Sequence, residues 1–254
     1  MSTSASHKDN PKQVREDMHA MLLSSVSHDL KTPLSCIIGS LEIYQHLKDT
    51  LSEDRIDALI STAIKEARRL DSFITNILDM ARLESDLVFK YERVDIGQLV
   101  QQCVLKMEVP LSRHEVQLEL PSQIMAEVSE MWIARALTLL LENSALYASA
   151  DTAISVTLTK DNLACWIAVR DHGPGMSEKM ASTIFHKTSR AARQDAKTAG
   201  TGLGLPICKA IAKKHGGTVW CGKPSSGDGI VFTITLPIAQ KTVKTQKKPR
   251  NLVS

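Results

Sequence analysis

Apolar residues that recur every seven positions constrain this chain more than any other feature. Leu23, Leu30, Ile37 and Tyr44 form one row, and Val26, Leu34 and Leu41 fill the adjoining face. After the interruption "KDTLSED" a second set follows: Ile56, Ala63, Leu70 and Ile77, flanked by Ile60, Ala67, Ile74 and Ala81. Such a repeat keeps one stripe of a helix apolar along its whole length. The spacing predicts two long helices, with Ser52 capping the second and Glu53 and Asp54 favourably placed at its positive end. Joined by a short turn, they make an antiparallel hairpin. One hairpin encloses too little core to stand alone, so the economical expectation is a homodimer whose two hairpins form a four-helix bundle. A single hairpin lying against the downstream residues is the alternative.

Beyond Ser85 the texture changes. "LVFKYERVDI" alternates like a strand, "IGQLVQQCVLKM" reads as a helix, and "HEVQLELP" as another strand. "EMWIARALTLLLENSALYA" is a strong helix, and "AISVTLTK" and "ACWIAVRDHG" are apolar strands about the turn residues "DN". "GLGLPICKAIAKKHGG" is a helix that begins and ends at glycines, and "TVWCGK" and "GIVFTITLP" finish as strands. The expected class is α+β, with several strands covered by helices on one side. The organisation expected is a polar lead over 1–13, a helical hairpin over 14–86, a sheet-containing domain over 94–240 and a basic tail over 241–254.

Composition removes several classes. A net charge of +3, much of it in "KTVKTQKKPR", is too weak to indicate nucleic acid. No window of about 20 apolar residues occurs, so no membrane span is expected, and the polar N-terminus lacks an apolar signal core. Cys36, Cys103, Cys165, Cys208 and Cys221 are scattered without CxxC spacing, which suggests reduced thiols in a cytoplasmic protein rather than a disulfide or metal framework.

Three stretches carry chemistry. In "SSVSHDLKTPL", residues 24–34, His28 shares its register with Ser35 and Glu42, off the apolar seam, and is expected to be exposed. Pro33 removes a backbone donor just beyond it. An exposed imidazole is a competent nucleophile; Asp29 can take its proton, and Thr32 stands one turn along the same face. In "DHGPGM", Asp171, Gly173 and Gly175 stand at a strand exit, where glycine lets a ligand approach the backbone and a carboxylate can accept from an exocyclic amine such as adenine's. In "GTGLGL", Gly200, Gly202 and Gly204 lead into a helix start, where phosphate is stabilised. The spacing is neither a dinucleotide fingerprint nor a Walker loop. The intervening "HKTSRAARQDAKTA" reads as a lid over phosphates. Asn143 interrupts the apolar face of the strong helix and could hold a divalent cation that bridges phosphates.

In this order the segments resemble the histidine kinases of bacterial two-component systems. "SHDLKTPL" is similar to their phosphoacceptor box, "LLLENSALYA" to the asparagine box, and "DHGPGM" and "GTGLGLPICKAIAKKHGG" to the two glycine boxes. The resemblance spans roughly residues 15–240. It implies a dimerisation and histidine-phosphotransfer hairpin followed by an α/β sandwich ATP-binding domain of the histidine kinase/gyrase type. By position, it makes His28 the phosphoacceptor, Asp29 the base and Thr32 a residue for dephosphorylating the partner. It makes Asn143 the Mg²⁺ ligand and Asp171 the adenine reader. Tyr147, Gly173, Gly175, Arg190, Gly200, Thr201, Gly202, Leu203 and Gly204 would line the ATP pocket. The partner implied is a response-regulator receiver domain. Three positions depart from the family: Leu139 where a second asparagine is usual, Leu146 where a lysine is frequent, and Thr188 where a phenylalanine is usual, with Phe185 fitting the first of that pair. Those departures admit a second expectation, a weakly active scaffold or phosphatase. A gyrase-like ATPase without phosphotransfer is a third, and it leaves "HDLKTP" unexplained.

Overall fold

The computed structural model describes residues 11–85, 89–121, 123–185 and 202–238; within the first helix, side chains are described at Ser27 and from Asp29 onward. The chain divides into two compact units, Met1–Leu78 and Asp79–Ser254.

The first unit is helical. Helix α1 runs Pro11–Leu47 and continues through Pro33, and α2 runs Glu53–Glu84. Between them, Thr50 and Leu51 donate backbone bonds to Leu47, and the carbonyl of Ser52 accepts from Arg55 and Ile56, which starts α2 as expected. The two apolar rows part company. Ile37, Tyr44, Ile56, Leu70 and Ile77 are half-buried and Ala63 is buried. Leu34, Leu41, Ile60 and Ile74 remain 46%, 50%, 40% and 45% exposed. One row is at least half-buried; the other is an apolar face left to water, a configuration that favours a further partner surface.

The second unit begins with the last turns of α2. Leu83 is buried in its core and Met80 packs against that core. Asp79 accepts a 2.7 Å hydrogen bond from Nε of Arg135. The units therefore divide inside α2, ahead of the textural change near residue 86. Strand β1 (Glu92–Asp95) leads into α3 (Ile96–Lys106), whose N-terminus is capped by Oδ1 of Asp95 accepting from Gly97 and Gln98. Then follow β2 (Val116–Glu119), β3 (Met125–Val128), α4 (Glu130–Tyr147), β4 (Ile154–Lys160) and β5 (Ala164–Asp171). The chain continues through α5 (Glu178–Thr183), α6 (Gly204–Lys214), β6 (Thr218–Gly222) and β7 (Ile230–Pro237).

Five strands form a sheet in the order β2-β4-β5-β7-β6, parallel between β2 and β4 and antiparallel elsewhere. Strands β1 and β3 make a separate antiparallel pair. Along β5, Cys165, Ile167, Val169 and Asp171 are buried, while Ala164, Trp166, Ala168 and Arg170 are only half-buried. That period-two alternation marks a sheet covered by helices on one face. Trp132, Ile133, Ala136, Leu137, Leu140 and Leu141 of α4, with Leu205, Ile207, Cys208 and Ile211 of α6, supply the covering layer. The class is thus α+β: a helical N-terminal unit followed by a two-layer α/β unit.

Candidate nucleotide site

Asp171 is the last residue of β5 and is 1% exposed. Its Oδ1 accepts from the backbone N–H of Gly173 at 2.9 Å. Its Oδ2 is buried and has no hydrogen-bond partner among the described residues. Burial pushes the carboxyl pKa up, against the opposing pull of the Gly173 and Ile230 amides and of His172. A buried carboxylate oxygen left unpaired costs about 1–3 kcal/mol, so this atom is poised for a donor from outside the protein.

Close backbone approach shapes the surrounding loop. A Cβ on Gly173 would collide with the carbonyl oxygen of Tyr147. Gly229, at φ +104°, sits with its Cα hydrogens against the carbonyl of Asp171, where any side chain would collide. His172, which the sequence reading passed over, fixes the strand exit from the other side: its Nδ1–H donates to the carbonyl of Ala153 at 2.9 Å.

Leu139, Asn143 and Tyr147 lie four residues apart, one above another on α4. The Tyr147 end of this row lies against Gly173. At the other end, Cδ2 of Leu139 would stand 3.4 Å from a Cβ added to Gly204, the first residue of α6. Half-buried Asn143 is therefore flanked by both described glycine loops. Gly175 and Gly202 take φ of +69° and +70°, which glycine adopts without strain. The N-cap of α6 is half-buried Leu203, whose own side chain makes no capping hydrogen bond. Glu142, beside Asn143, keeps water contact, yet the protein around its carboxyl raises its pKa, and Arg135 offsets part of that rise. Leu146 is 43% exposed, while Phe185 is buried against Phe232. Arg190, Gly200, Thr201, Thr188 and the expected lid lie outside the described residues.

In the first unit, His28 belongs to α1, but its side chain lies outside the described residues. Asp29 is half-buried and Thr32 exposed, and both have interactions of their own. All five cysteines are free thiols. Burial pushes Cys103 and Cys165 up to about 11, which leaves them inert packing residues. Among the described residues no cluster of three or more His, Cys, Asp or Glu could hold a metal, and no helix is long and apolar enough to cross a membrane.

Two family descriptions match consecutive parts of the sequence. "His Kinase A (phospho-acceptor) domain" covers residues 18–86, and "Histidine kinase-, DNA gyrase B-, and HSP90-like ATPase" covers 128–240. The sensor histidine kinase YcbM of Bacillus subtilis is 31% identical over 222 residues, 85% of this chain and 70% of that protein. The chain belongs to the two-component sensor histidine kinases. The sensor protein KdpD of Escherichia coli is 34% identical over 226 residues, 88% of this chain. The chain spans only 25% of that relative and 48% of the histidine kinase RppB of Synechocystis. Among solved structures, histidine kinase ThkA in complex with the response regulator protein TrrA superimposes with a TM-score of 0.69 at 19% identity, covering 90% of this chain and 64% of ThkA. Acinetobacter baumannii AdeS gives 0.63 at 20% identity, covering 84% and 98%. Both likenesses speak to the fold.

Proposed function

We propose that this chain is the transmitter core of a sensor histidine kinase: it binds ATP with Mg²⁺, phosphorylates its own His28 and passes the phosphoryl group to an aspartate of a response-regulator receiver domain. The observation that carries this reading is the unpartnered Oδ2 of Asp171. It sits beside Gly173, at the end of α4 that bears Asn143 and opposite the glycine start of α6. A buried acceptor fits the exocyclic amine of adenine, and a glycine-led helix start fits phosphate. Residues 14–86 serve dimerisation and phosphotransfer, 94–240 serve ATP binding, and 1–13 and 241–254 flank them.

In this mechanism one ring nitrogen of His28 attacks the γ-phosphorus as the bond to the β,γ-bridging oxygen breaks and ADP leaves, and Asp29 takes the proton from the other nitrogen. Asp171 orients the base, and the amides of Gly202, Leu203 and Gly204, with Gly200, Thr201 and Arg190, hold phosphate oxygens. Tyr147, Gly173 and Gly175 bound the pocket. Asn143 would hold Mg²⁺ through its amide oxygen, a hard donor suited to that cation, and the ion would supply neutralisation of phosphate charge. Most of the acceleration comes from positioning.

The receiver domain would dock on the hairpin around His28, with Thr32 placed to direct water during dephosphorylation. The ThkA structure carries a response regulator, which supports that partner class. The exposed row of Leu34, Leu41, Ile60 and Ile74 supports homodimerisation. Need for ATP and a receiver domain places the work in the cytoplasm. Buried Leu139 against Gly204 favours one second reading, a slow kinase acting mainly as phosphatase or scaffold, because an apolar side chain stands where a polar ligand would assist.

Incubation with γ-labelled ATP and Mg²⁺ tests the proposal. Acid-labile, base-stable label that is lost in His28→Gln supports the kinase. Dephosphorylation of a receiver domain without any label supports the second reading, and phosphate release that survives His28→Gln without label sinks both.

A further inference from the structure

Strand β6 is the outermost strand at one edge of the large sheet, next to β7. Val219 and Cys221 of this strand pack against the core, while Trp220 between them is 43% exposed. Helices α5 and α6 do not close over β6. They leave an open cavity of about 520 Å³. Small-molecule sites occupy the same range, roughly 300–1,000 Å³.

Among the described residues the lining has two parts. Phe185 and Ile230 are buried, and half-buried Met176 and Val219 continue the apolar wall. Lys209, Lys223 and Glu178 line the cavity from exposed positions. Two cations against one carboxylate leave a local excess of positive charge, which draws an anion toward the wall. The wall itself suits flat rings, because a thioether adapts its shape to them and an aromatic side chain stacks on them or meets their edges.

The cavity is distinct from the nucleotide site. Among the described residues it takes none from α4, and Asp171, Gly173, Gly175, Gly202 and Gly204 do not line it. It abuts that site through Gly229, whose Cα meets the carbonyl of Asp171. Phosphotransfer as described above gives Lys209, Lys223 and this apolar wall no task.

We propose that the cavity is a second ligand site, which takes a small organic anion built on a flat apolar ring system. The rings lie against Met176, Phe185, Val219 and Ile230, and a singly charged acid group sits beside Lys209 and Lys223. The site does not depend on the nucleotide reading.

The probe is 8-anilinonaphthalene-1-sulfonate, an anion of this kind whose emission rises in apolar surroundings, titrated into the full chain at neutral pH. N-phenyl-1-naphthylamine, with the same rings and no sulfonate, is the neutral comparison. Lys209→Glu/Lys223→Glu should bind the sulfonate about five- to tenfold more weakly, the reach of two exposed ion pairs, and should bind the neutral compound as wild type does. Ala181→Phe, which fills the cavity from α5, should lose both probes. ADP with Mg²⁺ should not compete with the sulfonate. Equal sulfonate affinity in wild type and the double lysine variant would overturn the proposal, and so would undiminished binding to Ala181→Phe. Sulfonate affinity that falls in proportion to ADP concentration would overturn it too, because the probe would then occupy the nucleotide pocket.

Discussion

Gly173 packs its Cα against the carbonyl oxygen of Tyr147, leaving no room for a side chain between β5 and the end of α4. That contact fixes the distance between the Asp171 loop and the helix that bears Asn143. Gly173→Ala should therefore force the two apart, lowering stability by about 1–3 kcal/mol and weakening ADP binding by tenfold or more. Urea denaturation and titration calorimetry read the two effects. Gly222→Ala is the control, since nothing lies within 4 Å of its added Cβ, and both quantities should stay near wild type.

The proposed homodimer rests on the hairpin's exposed row. Leu41 is 50% exposed and Ile74 45%. Light scattering coupled to size exclusion should give two copies for wild type and one for Leu41→Glu/Ile74→Glu, because burying carboxylates in an apolar seam is unfavourable. A dimeric double variant would show that another surface joins the copies.

His215 is held neutral. Its Nε2 accepts from the N–H of Ser129 at 3.0 Å, and its Nδ1–H donates to the carbonyl of Ile211 at 2.8 Å. Burial pushes its pKa down, partly countered by the Ile211 carbonyl. The unfolded chain titrates near the ordinary imidazole value of about 6.5, so below that pH it binds a proton that the folded chain refuses. The stability His215 contributes is thus complete above that value and is lost as pH falls through the lowered folded value. Urea midpoints should fall more steeply between pH 7 and pH 5 in wild type than in His215→Asn. Parallel curves would show that other groups govern acid sensitivity.

Arg135 and Asp79 form a largely buried pair, with side chains 21% and 10% exposed and 2.7 Å between Nε and Oδ2. Removing the guanidinium strands the Asp79 carboxylate, so Arg135→Ala should cost about 3 kcal/mol, and Asp79→Ala should cost less, because Arg135 keeps an interaction of its own. The double variant should cost less than the sum, and an additive result in a double-mutant cycle would show that the pair is not coupled.

Long-period features were legible in the sequence. The seven-residue rows reported both helices of the hairpin, and apolar strands bounded by turn residues reported β4, β5 and β7. Asp171 was legible because a carboxylate at a glycine-rich strand exit is conspicuous. Short elements carry too few residues for a period to register: β3 has four residues, and α5 has six, capped only by Ser177. "LVFKYERVDI" alternates, yet among its described residues only Glu92–Asp95 pair as a strand. Phe89 instead stacks on Tyr91 and Trp132 and meets the His215 edge, a long-range contact that local alternation does not encode.

The central claim is that nucleotide held at Asp171 supplies the phosphoryl group carried by His28. Peptide mapping at alkaline pH, after incubation with ATP and Mg²⁺, locates that group most directly. The account predicts one modified peptide, bearing "SHDLKTPL" with the phosphoryl group on His28, and none from Asp171→Asn. A phosphoryl group on another residue, or undiminished modification of Asp171→Asn, would contradict it.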